Sequence, residues 1–169
     1  MTEITALILA EHEAFGRRSL DLWGFRPHGA STAQAAAWRD CADRLQVHAA
    51  VEEEILYPAL SKWASDQAPE ETLDAIGDHY RIRDDIREAA ATDDASLERW
   101  GAVLECRKAN DEHLEEQERD IIPSFREHSD DELRSVLGRE WLQFKPRHSG
   151  ARGVPGDDVD SGAYVEENS

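Results

Sequence analysis

His48-Ala49-Ala50-Val51-Glu52-Glu53-Glu54-Ile55-Leu56-Tyr57-Pro58 and His113-Leu114-Glu115-Glu116-Gln117-Glu118-Arg119-Asp120-Ile121-Ile122-Pro123 are two runs of one chain written in one frame. In each, His leads, an acidic residue stands five places later (Glu53, Glu118) and Pro ten places later. Four places after the His stands Glu52 in the first run and Gln117 in the second. Residues four apart share a face of an α-helix, so His48 and Glu52 can point at one atom. Each Pro removes a backbone donor inside a helix and predicts a kink beyond the His.

Outward from these runs the periodicity is helical nearly throughout. A first helix is predicted from a Thr2 cap to about Trp23, with Ile4, Leu7, Ile8, Phe15 and Leu22 on one face and His12 among them. Pro27 and Gly29 mark a loop. Ser31 is a suitable cap for a second helix to about Ala64. Its inward stripe is Trp38, Cys41, Leu45, His48, Glu52, Ile55 or Leu56, Ala59 and Trp63. A third helix runs from Pro69 to about Ala91, with Leu73, Ile76, His79, Ile82, Ile86 and Ala90 inward. A fourth, from about Ala95 to Glu127, turns Leu97, Trp100, Val103 or Leu104, Cys106, Asn110, His113, Gln117, Ile121 and Phe125 inward. Ser129 or Asp130 opens a short fifth helix through about Phe144. No segment alternates with period two for long enough to be a strand. The expectation is an all-α fold: an up-down-up-down four-helix bundle with a short fifth helix over residues 1–145. Residues 146–169, with four Gly and two Pro, are expected to form a flexible acidic tail.

Each long helix places one His on its inward stripe: His12, His48, His79 and His113. The spacing from His12 to His48 is 36 residues and from His79 to His113 is 34. Two matched helical hairpins about a pseudo-twofold axis would bring the four imidazoles to one level. Imidazole and carboxylate converging inside a bundle suit a divalent transition metal, iron or manganese over zinc, since no thiolates cluster. Glu52, set between two ions, would lower their repulsion. A single inward His is ordinarily a core residue; the duplicated frame carries the metal reading. His28, His128 and His148 are read as solvated, and Trp23, Trp38, Trp63, Trp100 and Trp141 as packing. Tyr57 and Tyr80 lie near the site in sequence and could donate hydrogen bonds to its ligands; the simpler reading of each is packing with the hydroxyl at the surface.

Composition narrows the partners. The chain has 169 residues, 37 Asp+Glu against 19 Lys+Arg, and a formal charge of −18. Such a surface opposes nucleic acid, which requires a basic stripe, and favours cations or basic partners. With Cys41 and Cys106 alone there is no disulfide framework, and two buried thiols in a reducing compartment are expected. The apolar stretch Ile4 to Ala10, seven residues between Glu3 and Glu11, is too short for a targeting or membrane-spanning segment. A cytoplasmic location without membrane contact is expected.

On these residues the chain resembles the hemerythrin family in its bacterial H-H-x-x-x-E-H-H-x-x-x-E form. The resemblance covers about residues 1–145 and rests on His12, His48 with Glu52 and Pro58, His79, and His113 with Pro123. It implies a non-haem di-iron centre that binds dioxygen, nitric oxide or peroxide, or senses iron or oxygen. By position, His12 and His48 would hold one iron, His79 and His113 the other, and Glu52 would bridge them. Gln117 stands where the family has a second bridging Glu. Three outcomes follow: weak ligation through the Gln117 amide oxygen, replacement by Glu118, or a half-empty centre with one ion. Arg83 stands where oxygen carriers bear another His and cannot ligate, which leaves an open or water-filled position. The resemblance with these departures implies an oxidoreductase that activates dioxygen or peroxide, with a small organic substrate in reach. The alternative is a module that binds or senses oxygen, nitric oxide or iron without turnover. A helical scaffold that has lost its metal is a third reading.

Overall fold

The two prolines widen their helices rather than break them. Glu52–Leu56 and Gln117–Ile121 are single π-helical turns. In them the Tyr57 N–H reaches the Glu52 carbonyl, and the Ile122 N–H reaches that of Gln117, each five residues back. Pro58 and Pro123 lack an N–H and crowd the carbonyl four residues behind; one extra residue in the turn relieves that crowding. The predicted kink is thus a π turn, and Glu52 and Gln117 open it.

The computed structural model describes residues 2–24, 32–63, 68–94, 96–154 and 160–168. Among them there is no strand. Six helices are described: α1 Ile4–Gly24, α2 over 32–63, α3 Ala68–Ala91, α4 over 97–128, α5 Asp131–Arg147 and α6 Ser161–Asn168. The expected Ser31 cap, the loop with His28, and the side chains of Trp23 and Trp63 lie outside the described residues. No helix of the structure is long and apolar enough to cross a membrane.

Local chemistry sets the helix ends. The first free N–H groups of α1, on Thr5 and Ala6, are taken at 3.0 Å by the Glu3 carboxylate, the role expected of Thr2. Ser96 caps α4 through the Arg99 N–H, 3.0 Å, and Asp130 caps α5 through the Leu133 N–H, 2.7 Å. Arg99 is buried and donates to the carbonyls of Ala89 (3.0 Å) and Thr92 (3.3 Å), closing the turn between α3 and α4.

Two apolar cores flank the His level. One holds Ile4 and Ile8 of α1, Val51 to Leu60 of α2, Ala75 and Ile76 of α3, Ile121 to Phe125 of α4 and Trp141 of α5. The other holds Phe15 and Leu22, Trp38 to Leu45, Ile82 to Ala89 and Ala102 to Ala109. His12, His48, His79 and His113 fall where each helix passes from one core to the other. Buried Cys41 and Cys106 are free thiols of the second core. Two expected core positions are exposed. Leu97 stands 90% exposed on the first turn of α4. Ala90 is exposed and Ala89 is buried in its place. From Ile82, seven residues return to within about 20° of the starting face, whereas eight overshoot by about 80°.

α5 runs along the bundle and crosses the start of α1 closely: a Cβ on Gly138 would stand 2.6 Å from the Thr2 carbonyl oxygen. Beyond it the chain turns at Gly150 and Gly153, both with positive φ. Residues 146–169, expected as a flexible tail, carry α6, a helix that the sparse apolar pattern did not predict. Asp160 accepts from the Ala163 N–H at 2.7 Å, and the Tyr164 hydroxyl donates to the Glu53 carbonyl.

Candidate metal centre

Nε2 atoms of all four imidazoles gather around one carboxylate. Glu52, at 0% exposure, lies with Oε1 3.2 Å from His48 Nε2. Its Oε2 lies 3.1 Å from His79 Nε2 and 3.6 Å from His113 Nε2. The nitrogens of His79 and His113 are 3.2 Å apart, and the rings of His12 and His48 meet edge to face at 5.3 Å. Two ligand sets result, His12-His48-Glu52 and Glu52-His79-His113, each with its ligand atoms within 4.8 Å of one another. Sequence placed these five residues on inward faces; the structure brings them together.

The opposite nitrogen of every ring is engaged by a carboxylate. His48 Nδ1 meets Glu11 at 3.0 Å, His79 Nδ1 meets Glu53 at 2.7 Å, and His12 Nδ1 meets Glu118 at 2.9 Å. His113 Nδ1 faces Asp78 at 3.5 Å. The pairing is cyclic: an acid of α1 holds the His of α2, α2 that of α3, α3 that of α4, and α4 that of α1. Glu11 and Asp78 directly precede His12 and His79, while Glu53 and Glu118 follow His48 and His113 by five places. Each carboxylate engages Nδ1 and turns Nε2 inward. That arrangement raises the basicity of imidazole ligands and orients them.

Glu118 therefore lies on the outer edge of His12, its side chain half exposed, and stands in neither ligand set. Gln117 is fully buried; its Nε2 donates to the Tyr57 hydroxyl at 2.9 Å, and its Oε1 has no hydrogen-bond partner. The Tyr57 hydroxyl in turn donates to Glu52 Oε2 at 3.3 Å. Tyr57 is thus fully buried inside the site, where the sequence favoured a surface hydroxyl. Arg83 is buried and directs Nη2 at both oxygens of Glu53, 2.8 Å each, away from the His cluster. Glu11 is tied to α5 by the Trp141 indole N–H at 2.9 Å and by Lys145 Nζ. Sequence reasoning assigned no role to Glu11, Glu53 and Asp78. Their signals were the dipeptides Glu11-His12 and Asp78-His79 and the matched acids of the two runs.

Electrostatics follow the geometry. Burial opposes charge on Glu52, yet the charge of His48 and hydrogen bonds from the imidazoles hold its carboxyl well below the usual range. Burial, aided by His48, depresses His12 to about 4, so His12 is neutral. Burial also disfavours charge on His48, but Glu52 and Glu11 overcome it and raise it to about 9. The contribution of protonated His48 to the stability of the metal-free fold is therefore full below 6.5 and lost as pH rises through about 9. A cation bound at Nε2 must displace that proton. Against burial, Asp78 and Glu52 raise His113 as well, so cation uptake at neutral pH is expected to release at least one proton per chain, read with an indicator dye in weak buffer. Uptake without release would contradict the protonation assigned to His48.

The buried atoms without partners test what the site accepts. They include His12 Nε2, His48 Nε2, Glu52 Oε1 and Gln117 Oε1, all members of this cluster. His48 Nε2 and Glu52 Oε1 are close, but their geometry makes no hydrogen bond. Buried polar atoms left unpaired cost roughly 1–3 kcal/mol each, and a cation that replaces the His48 proton would satisfy them together. The donor set, four imidazoles around a carboxylate, fits a divalent transition metal.

Residues 3–125 match the family model described as the hemerythrin HHE cation binding domain. No curated protein and no solved structure matches the chain.

Proposed function

Because the chain belongs to the hemerythrin HHE cation-binding family, we propose that it holds two iron ions, one on His12 and His48, the other on His79 and His113, with Glu52 shared between them. The observation that carries this reading is the convergence of four Nε2 atoms on one buried carboxylate, each ring held from behind by an acid. We read the four long helices as an up-down-up-down bundle. Support comes from the order in which successive helices meet the two cores, which reverses from each to the next.

Each ligand set offers two imidazoles and one carboxylate. That donor set with open positions suits non-haem iron that meets oxygen, rather than a closed structural site. Iron bound there would supply Lewis-acid and redox chemistry to dioxygen or peroxide. The chain's own residues hold the surroundings. Gln117 contributes an uncharged amide oxygen where a second carboxylate would add charge, and Arg83 is committed to Glu53. Neither closes the centre. Tyr57, with its hydroxyl proton hydrogen-bonded to Glu52, is placed to hold or return a proton at that carboxylate. Burial, with Glu52 and Glu53 nearby, raises its own ionisation well above the ordinary value, so the phenol keeps its proton. We therefore favour activation of oxygen or peroxide over reversible carriage. The buried unpaired thiols Cys41 and Cys106 suit a reducing compartment, and we place the protein in the cytoplasm.

A sensing reading has one specific support. The Tyr164 hydroxyl of α6 bonds to the Glu53 carbonyl within the π turn, so a change at the centre can reach the terminal helix. Mixing the anaerobically loaded ferrous protein with air separates the two. Rapid irreversible oxidation, with turnover of an added reductant, is expected; a long-lived reversible adduct that displaces α6 would contradict turnover and support sensing.

A further inference from the structure

A cleft of about 190 Å³ opens between α3 and α4 and reaches the edge of the candidate centre: His113 and Gln117 both line it. Its α3 wall carries Glu71, Asp74 and Asp78; its α4 wall carries Glu116 and Asp120. The one cation among its lining residues, Arg119, is bonded to Asp120 at 2.8 Å. Acidic residues alone are commonplace on a chain of charge −18. Two further observations give this cleft a ligand. Gln117, at 0% exposure, lines it, and its amide nitrogen is committed to Tyr57 while Oε1 accepts from nothing. Glu71 Oε2 is likewise buried without a partner. Asp78, on the same wall, is the acid facing His113 Nδ1. Two unpartnered oxygens, Glu71 Oε2 and Gln117 Oε1, thus stand along a cleft that leads from solvent to His113, an imidazole of one ligand set.

We propose that this cleft is the loading path for the metal, a docking place for a hydrated divalent cation. Asp74, Glu116 and Glu71 attract the ion at the mouth, and the Gln117 amide oxygen receives it next to His113. The inference rests on the metal reading above and adds the route. Carboxylates at the mouth exchange readily with water ligands, and a neutral amide holds a cation loosely enough to pass it on. A cleft lined by one sign of charge concentrates counter-ions and speeds their association.

The test is stopped-flow uptake of Co(II) by the whole metal-free protein, followed by the visible absorption that grows as imidazole replaces water. At low ionic strength D74N/E116Q is expected to load about tenfold more slowly than wild type and to reach the same final absorbance. High salt should erase the difference by screening. The control E98Q/E140Q removes the same charge from exposed sites elsewhere and is expected to load at the wild-type rate. The path is overturned if D74N/E116Q loads as fast as wild type, if both double variants slow equally, or if D74N/E116Q ends at lower occupancy. Wild-type protein that takes up no Co(II) on its imidazoles would overturn the metal reading and the path with it, a pattern distinct from the others.

Discussion

Glu52→Gln is expected to leave the protein folded and to abolish tight metal binding at both ligand sets at once. Glutamine keeps the volume and the hydrogen-bonding oxygen, so no cavity opens in a fully buried place. What it removes is the charge that two sets share. Loss of a ligand's outer partner alone costs about 10–100-fold in affinity, and loss of the shared ligand should cost more than roughly 100-fold. The variant should also show His48 titrating well below its present value of about 9, because Glu52 is the largest influence holding its proton. Titration with Co(II) under chelator competition, with His48 followed by NMR, checks both. A variant that loses one ion and keeps the other at wild-type affinity would refute the shared carboxylate.

The second large effect belongs to Glu53. Glu53→Ala removes the acceptor for both His79 Nδ1 and the buried Arg83 guanidinium. Leaving a buried charge unpaired costs about 3–5 kcal/mol, and His79 without its outer acid should bind metal about 10–100-fold less tightly. Adding R83M to E53A removes the orphaned charge and should restore most of the stability while leaving metal affinity low. Burial opposes ionisation of Glu53, but His79 and Arg83 hold its carboxyl below 4.5, so its stabilisation is complete above that pH and fades below it. The gap between wild type and E53A in denaturant melts should accordingly narrow on acidification. If R83M restores metal affinity along with stability, the account of Glu53 as the acid that orients His79 is wrong.

The same two sites show how far the sequence could be read. His12, His48, Glu52, His79 and His113 were legible because a helical face needs only spacing three and four, and a repeated frame exposes itself in one chain. The helices were legible for the same reason, to within a few residues at their ends. The π turns were not. A Pro announces strain, but whether a helix kinks or takes in one more residue depends on what the neighbouring helices hold in place. Tyr57 was only half legible on this account: its nearness to the site made it a candidate donor, but a strict α register does not reveal that its hydroxyl joins Glu52 to Gln117.

The ring of outer acids was hidden for another reason. Glu11 stands beside His12 in sequence yet serves His48, and Asp78 stands beside His79 yet serves His113. Adjacent residues on a helix point about 100° apart, so each acid faces the next helix rather than its own His. Glu118 likewise serves a helix other than its own. The resemblance left it open as a ligand in place of Gln117; in the structure its carboxylate lies on His12 Nδ1. Only knowledge of which helices are neighbours converts such dipeptides into a network. α6 was missed because its sequence offers almost no apolar pattern beyond Tyr164 and Val165.

The account stands on one arrangement: two cations separated by the Glu52 carboxylate, each facing a pair of Nε2 nitrogens. Anomalous X-ray scattering at the iron edge, from crystals of protein grown with ferrous iron, measures it directly. Two peaks per chain, one against His12 and His48, the other against His79 and His113, with Glu52 in reach of both, are the predicted result. No peak at the imidazoles, or iron bound only to the surface carboxylates, would contradict it.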